Sequence, residues 1–93
     1  MEISCTSFWV GVYCSADSSY AVDFASNISI MLKRHEGNEV LLYLRYFNNL
    51  QDAIGHKLFL ESLSVTSLRT NIRTQNPKVK DLRNMVAQYL AMT

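Results

Sequence analysis

Few residues in this chain have the type and spacing to do chemistry. Asp17 and Asp23 flank the stretch Ser18–Val22, and a pair of carboxylates is the simplest start of a hard-cation site. Their spacing matches no metal-ligand pattern, so a pair of solvated acids is the ordinary reading. His35 and His56 are far apart, and only two cysteines, Cys5 and Cys14, are present. A zinc site needs about four N or S ligands at short spacings, and no Cys-x-x-Cys pair occurs. Arg69, Arg73, Lys78, Lys80 and Arg83 form a basic series near the C-terminus. Arg69 and Arg73 are four apart and share a helical face, which suits a phosphate-binding strip. No exposed aromatics are interleaved, so a solvated helix surface is the simpler explanation of the series.

Composition narrows the classes. Ninety-three residues with 48% hydrophobic and 18% charged content suit one domain with a modest core. A low charge fraction leaves apolar surface in need of cover, which favours a protein partner or a homo-oligomer. The net charge of +1 gives no global field toward nucleic acid or acidic lipid. Its distribution is uneven: residues 1–52 carry three basic against six acidic side chains, net −3, and residues 53–93 carry six against two, net +4. No leader pattern and no apolar run of membrane-spanning length is present, so a cytoplasmic protein with reduced thiols is expected.

Hydrophobic periodicity supplies the elements that must position these residues. Residues 7–14 read as a strand, with Phe8, Val10, Val12 and Cys14 on one face and Trp9, Gly11 and Tyr13 on the other. The turn Ser15–Ser19 leads to a second strand, Tyr20–Phe24, and so to a hairpin. Ser26 or Asn27 caps a helix whose face is Ile28, Met31, Leu32 and His35. Glu36, Gly37 and Asn38 end it. The apolar run Val40–Phe47 reads as the third and central strand. Asn48 or Asn49 caps a helix with a buried stripe of Leu50, Ala53, Ile54 and Leu58. Ser62 or Ser64 opens a helix carrying Val65, Leu68 and Ile72, which Asn76-Pro77 breaks. Pro77 suits the first turn of a last helix lined by Val79, Leu82, Val86, Tyr89 and Leu90. The expected fold is α+β, order ββαβααα, with a small three-stranded antiparallel sheet and flanking helices across residues 1–93.

That order, with these residues, resembles the GIY-YIG endonuclease superfamily, and within it the small stand-alone excinuclease-like proteins. Four stretches in register carry the likeness: Cys14–Ser19, Ala25–His35, Leu42–Phe47 followed by Asp52–Lys57, and Asn76–Leu82. The resemblance implies a metal-dependent endonuclease using a divalent cation such as Mg or Mn. A glutamate would hold the cation, an arginine would stabilise the phosphorane, and tyrosines of the first two strands would assist the attacking water. Laid onto this chain, those positions are degenerate. The first-strand tyrosine falls on Gly11, or on Tyr13 if the register slips by two. The second falls on Ala21, a glycine on Asp23, the arginine on Met31 and the glutamate on Lys57. Only His35 matches. The family's basic, aromatic loop after that histidine is replaced by the short acidic stretch 36–39.

An ammonium repels a divalent cation, so Lys57 is the substitution least compatible with a metal, unless its own charge stands in for one. A snorkelling surface lysine is the ordinary alternative. For His35, sharing a face with Ile28, Met31 and Leu32, a hydrogen-bonded core histidine is expected. Trp9 and Tyr13 are expected to form an apolar interaction patch with Gly11 between them. The sequence therefore points to a catalytically inactive binding module without cofactor. A nucleic-acid-binding module and an endonuclease with a rebuilt active site are the alternatives.

Overall fold

The computed structural model describes residues 7–35, 37 and 39–92. Seven elements follow in chain order: β1 (Phe8–Cys14), β2 (Tyr20–Ala25), α1 (Ile28–Arg34), β3 (Val40–Phe47), α2 (Leu50–Ser62), α3 (Val65–Gln75) and α4 (Arg83–Met92). The strands form one antiparallel sheet in the order β2-β1-β3. The α+β class and the element order are those expected. Cys5, Glu36 and Asn38 lie outside the described residues.

The helix starts follow from side-chain capping. Asn27 Oδ1 accepts from Ser29 N at 2.8 Å, Asn49 Oδ1 from Asp52 N at 3.2 Å, and Ser64 Oγ from Ser67 N at 3.2 Å. Each cap satisfies a backbone donor that the first turn leaves without a partner.

Strand alternation divides the core into two layers. On one face, Phe8, Val10 and Val12 pack with Leu42, Tyr43, Ala53, Leu60, Leu68 and Ile72, beneath α2 and α3. On the other, Tyr13 packs with Ala25, Ile28, Met31, Leu41 and Val86, beneath α1 and α4. A bulge where β1 passes from Val12 to Tyr13 pairs Val12 with Tyr43 and Tyr13 with Leu41, so Leu42 is the extra residue. It lets Leu42 and Tyr43 both serve the first layer while Leu41 faces the second.

Three expectations are corrected. β1, not β3, is central: Val10 and Val12 are fully buried, and helices cover both faces of β1. The run Val40–Phe47 is apolar because its first half is covered, whereas Arg45 and Tyr46 are exposed. On α2 the buried residues are Ala53 and Leu60, and Leu50, Ile54 and Leu58 are 45%, 42% and 58% exposed. With apolar residues on every side of this helix, periodicity alone leaves its rotation undetermined. Finally, α4 starts at Arg83 and not at Pro77; Val79 lies outside it with φ +51°, and Tyr89 is exposed.

Residues 75–82 do something other than begin a helix. The carboxamide of Gln75 accepts from Leu44 N at 2.8 Å and donates to Leu44 O at 2.7 Å. Buried Asn76 donates to Leu42 O at 3.1 Å and to Lys80 O at 2.7 Å, and accepts from Lys80 N at 3.1 Å. Asp81 accepts from Leu41 N, and Leu82 N donates to Leu41 O. Backbone groups on the outer edge of β3 are thus satisfied largely by side chains.

Candidate functional site

The second sheet face carries most of the positions singled out in the sequence, and it is closed. A Cβ built on Gly11 would meet Leu41 Cδ1 and Met31 Sδ, each at 3.1 Å, and the Tyr43 carbonyl at 3.4 Å. Gly11 is therefore the residue that lets α1 and β3 meet over the strand. Met31 fills the space beside it and is fully buried. Gly11 pairs with Asp23 and Tyr13 with Ala21 across the β1–β2 ladder, so these four do lie on one face. Ala21 is exposed near its edge.

Tyr13 is fully buried and stacks on His35, with ring centroids 3.8 Å apart and planes 17° apart. Its hydroxyl has no hydrogen-bond partner among the described residues. Burial, reinforced by the nearby Asp23 carboxylate, pushes the phenol up to about 12. The expected patch of Trp9, Gly11 and Tyr13 is accordingly corrected: Gly11 and Tyr13 are core, and only Trp9 reaches the surface. Trp9 meets Tyr46 edge-on at 5.1 Å and joins Ile28, Leu44, Met85, Val86 and Tyr89 around an apolar cavity of about 280 Å³. α4 supplies three of those six, Met85, Val86 and Tyr89.

His35 caps the C-terminus of α1, largely buried as expected. Its Nε2 lies 2.9 Å from Asp23 Oδ2 and its Nδ1 3.3 Å from Glu39 Oε1. Asp23 Oδ1 also accepts from Phe24 N at 2.8 Å and Arg34 Nη1 at 2.9 Å. Its oxygens are spent on holding β2 to α1. Asp17 sits apart in the hairpin turn, accepting from Ser19 N at 3.0 Å and Ser19 Oγ at 2.6 Å. Those two hydrogen bonds hold its carboxyl below the usual carboxylate range. Among the described residues no three His, Cys, Asp or Glu side chains gather where they could hold a metal ion.

Lys57 is not brought to this face. It lies on α2, against the opposite layer, and pairs with Glu61 at 2.9 Å. The side chains of Gly11, Met31 and Lys57 do not fit a divalent cation, because none carries an oxygen.

The basic series also divides. Arg69 Nε donates to Tyr20 Oη at 3.1 Å, with its guanidinium 5.8 Å from the ring centre, and Arg73 lines the same depression with Leu42, Ile72 and Val79. Lys78 and Lys80 are exposed in the turn between α3 and α4. Arg83 stands apart: it grips Asp81 through two nitrogens at 2.9 and 2.8 Å and reaches Gly37 O at 3.4 Å. The hydrogen bonds that Arg83 donates to Asp81 raise the guanidinium above its ordinary value.

Sequence reasoning missed the outer side of α2. Leu50, Ile54, Leu58 and Phe59 are all exposed there, and the face carries no charge at its centre. The signal was present in the excess of apolar residues over what one buried stripe can use. Comparison with family descriptions, with curated proteins and with solved structures finds no match. No helix among the described residues is long and apolar enough to cross a membrane.

Proposed function

We propose that this chain is a GIY-YIG-like domain retained as a binding module that does not cut nucleic acid. The observation that carries the reading is the packing of Met31 and Leu41 against Gly11. The positions laid onto the family's first tyrosine and its arginine are joined as core. The position laid onto its glutamate, Lys57, faces away with its charge spent on Glu61. Electrostatic help to a phosphoryl centre needs donors converging on one open point, and these side chains do not converge.

A nucleic-acid-binding reading has one specific support, the Arg69–Tyr20 pair with Arg73 beside it. A guanidinium over an aromatic ring suits both phosphate contact and base stacking. One experiment separates the readings. The purified chain is incubated with single- and double-stranded DNA in Mg²⁺ or Mn²⁺, and binding is followed by gel shift. The expected outcome is no nicking in either metal. Salt-dependent binding that falls at least ~10-fold in Arg69→Gln/Arg73→Gln would favour nucleic acid as the partner. Metal-dependent nicking abolished by one point substitution would sink the non-cutting reading.

A further inference from the structure

The outer face of α2 looks unlike an ordinary solvated helix. Residues advance by about 100° along a helix, so Ala53 and Leu60, which are buried, fix the inward direction. Pointing away from it are Gln51, Ile54, Gly55, Leu58 and Ser62, none of them charged. Leu50 and Phe59 border that face, 45% and 49% exposed. Asp52 lies beyond one border, and Lys57 and Glu61 form the other. Nothing lies within 4 Å of a Cβ built on Gly55, so a partner's backbone can approach closely there. A helix that needed only solvent would carry charge at Ile54 and Leu58.

We propose that this face is occupied by α2 of a second copy, in an antiparallel, two-fold related pair. This rests on the binding-module reading and names its partner. Charge complementarity commits the occupant. In an antiparallel pair about a two-fold axis, each flank meets the same flank of its mate running the other way. Lys57 and Glu61 share one flank, four residues apart. An axis passing beside Phe59, midway between them, sets Lys57 of each copy against Glu61 of the other. The same axis leaves Leu58 one residue from the centre and brings Gly55 of one copy within one residue of the level of Ser62 of the other, small beside small. Lys57 and Glu61 already touch within one chain, with side chains 31% and 43% exposed, so the dimer turns two pairs into a ring of four alternating charges. Leu50, Ile54, Leu58 and Phe59 together leave roughly 400 Å² exposed per copy, about half of the ~800 Å² per partner of a standard interface. Gln51 on the same face and the Lys57 stem at its border extend the buried area.

Sedimentation equilibrium of the full chain tests this. The chain of 10.6 kDa is expected to reach twice that mass at tens of micromolar or above. Leu58→Glu, at a site exposed enough to leave folding intact, is expected to weaken association at least ~100-fold. Lys57→Glu and Glu61→Lys are each expected to weaken it, and the double exchange to restore it, because the ring is rebuilt with its signs reversed. Circular dichroism confirms that each variant stays folded. A monomer at all concentrations, a dimer indifferent to Leu58→Glu, or a charge exchange without rescue would each overturn the pairing. A monomer that still binds nucleic acid or another protein leaves the binding-module reading standing, whereas metal-dependent nicking removes that reading whatever the mass.

Discussion

Tyr13 has a cost that its neighbours do not repay. It buries a hydroxyl without a partner among the described residues, yet gains from the ring stacked on His35. An unpaired buried hydroxyl costs about 1–3 kcal/mol, and its removal keeps the ring contact. Tyr13→Phe is therefore expected to stabilise the fold by about 1 kcal/mol in urea denaturation. A loss of stability would show that the hydroxyl is satisfied. Titration gives the same residue a second readout. Its folded value, about 12, is raised above the ordinary 10.0, so the associated stability is complete below pH 10 and is lost as pH rises through the folded value. Tyrosinate absorbance should show a phenol that resists ionisation well above pH 10, and that resistance should vanish in Tyr13→Phe.

The caps and strands were legible because each rests on local chemistry. Asn27, Asn49 and Ser64 are short side-chain acceptors just ahead of apolar periodicity, and β1 alternates cleanly between its faces. What depends on the third dimension was not legible. The rotation of α2 is set by which side meets Val10 and Val12, and its own pattern is apolar all round. The segment 75–82 has the Asn-Pro signature of a helix start, but its side chains serve the β3 edge instead. Of the site, alternation put Gly11 and Tyr13 on one strand face and helical spacing put Met31 and His35 on one helix face, but neither shows that the two faces meet. The burial of Tyr13 could not be read either, because it needs α4 overhead. The edge segment carries its own prediction. Asn76→Ala removes three hydrogen bonds at a buried site and is expected to cost about 2–4 kcal/mol in denaturant midpoint analysis. A cost near that of an exposed asparagine would mean that the turn holds without it.

Seen whole, the molecule is two apolar layers on a three-stranded sheet, and its response to acid follows from groups on different sides. Burial, with the nearby Arg45 charge, lowers His56 below its ordinary 6.5, and Tyr43 Oη lies 2.8 Å from its Nε2. The folded ring stays neutral where the unfolded one takes a proton. This contribution is present above pH 6.5 and is lost as pH falls below it. Asp81 acts in the same direction at lower pH. Burial alone would raise its carboxyl, but hydrogen bonds from Arg83 and from Leu41 N outweigh that and hold it below 3.8. Its contribution is present above 3.8 and is lost as pH falls through the folded value. Melting temperature is expected to fall in two stages on acidification, and His56→Gln to remove only the first. A profile flat from pH 7 to 5 would contradict the burial of His56.

The carboxamide of Gln75 bonds to both the N–H and the C=O of Leu44, as one residue of a fourth strand would. A polymer chemist would call β3 an end-capped terminus. Phe24, on the far strand, is capped too, its N–H by Asp23 and its C=O by Arg34. A sheet terminated in this way is a poor seed for strand-by-strand growth, because a newcomer must first displace an internal ligand. The pairing proposed through α2 is a contact of the other kind, one whose growth stops at two.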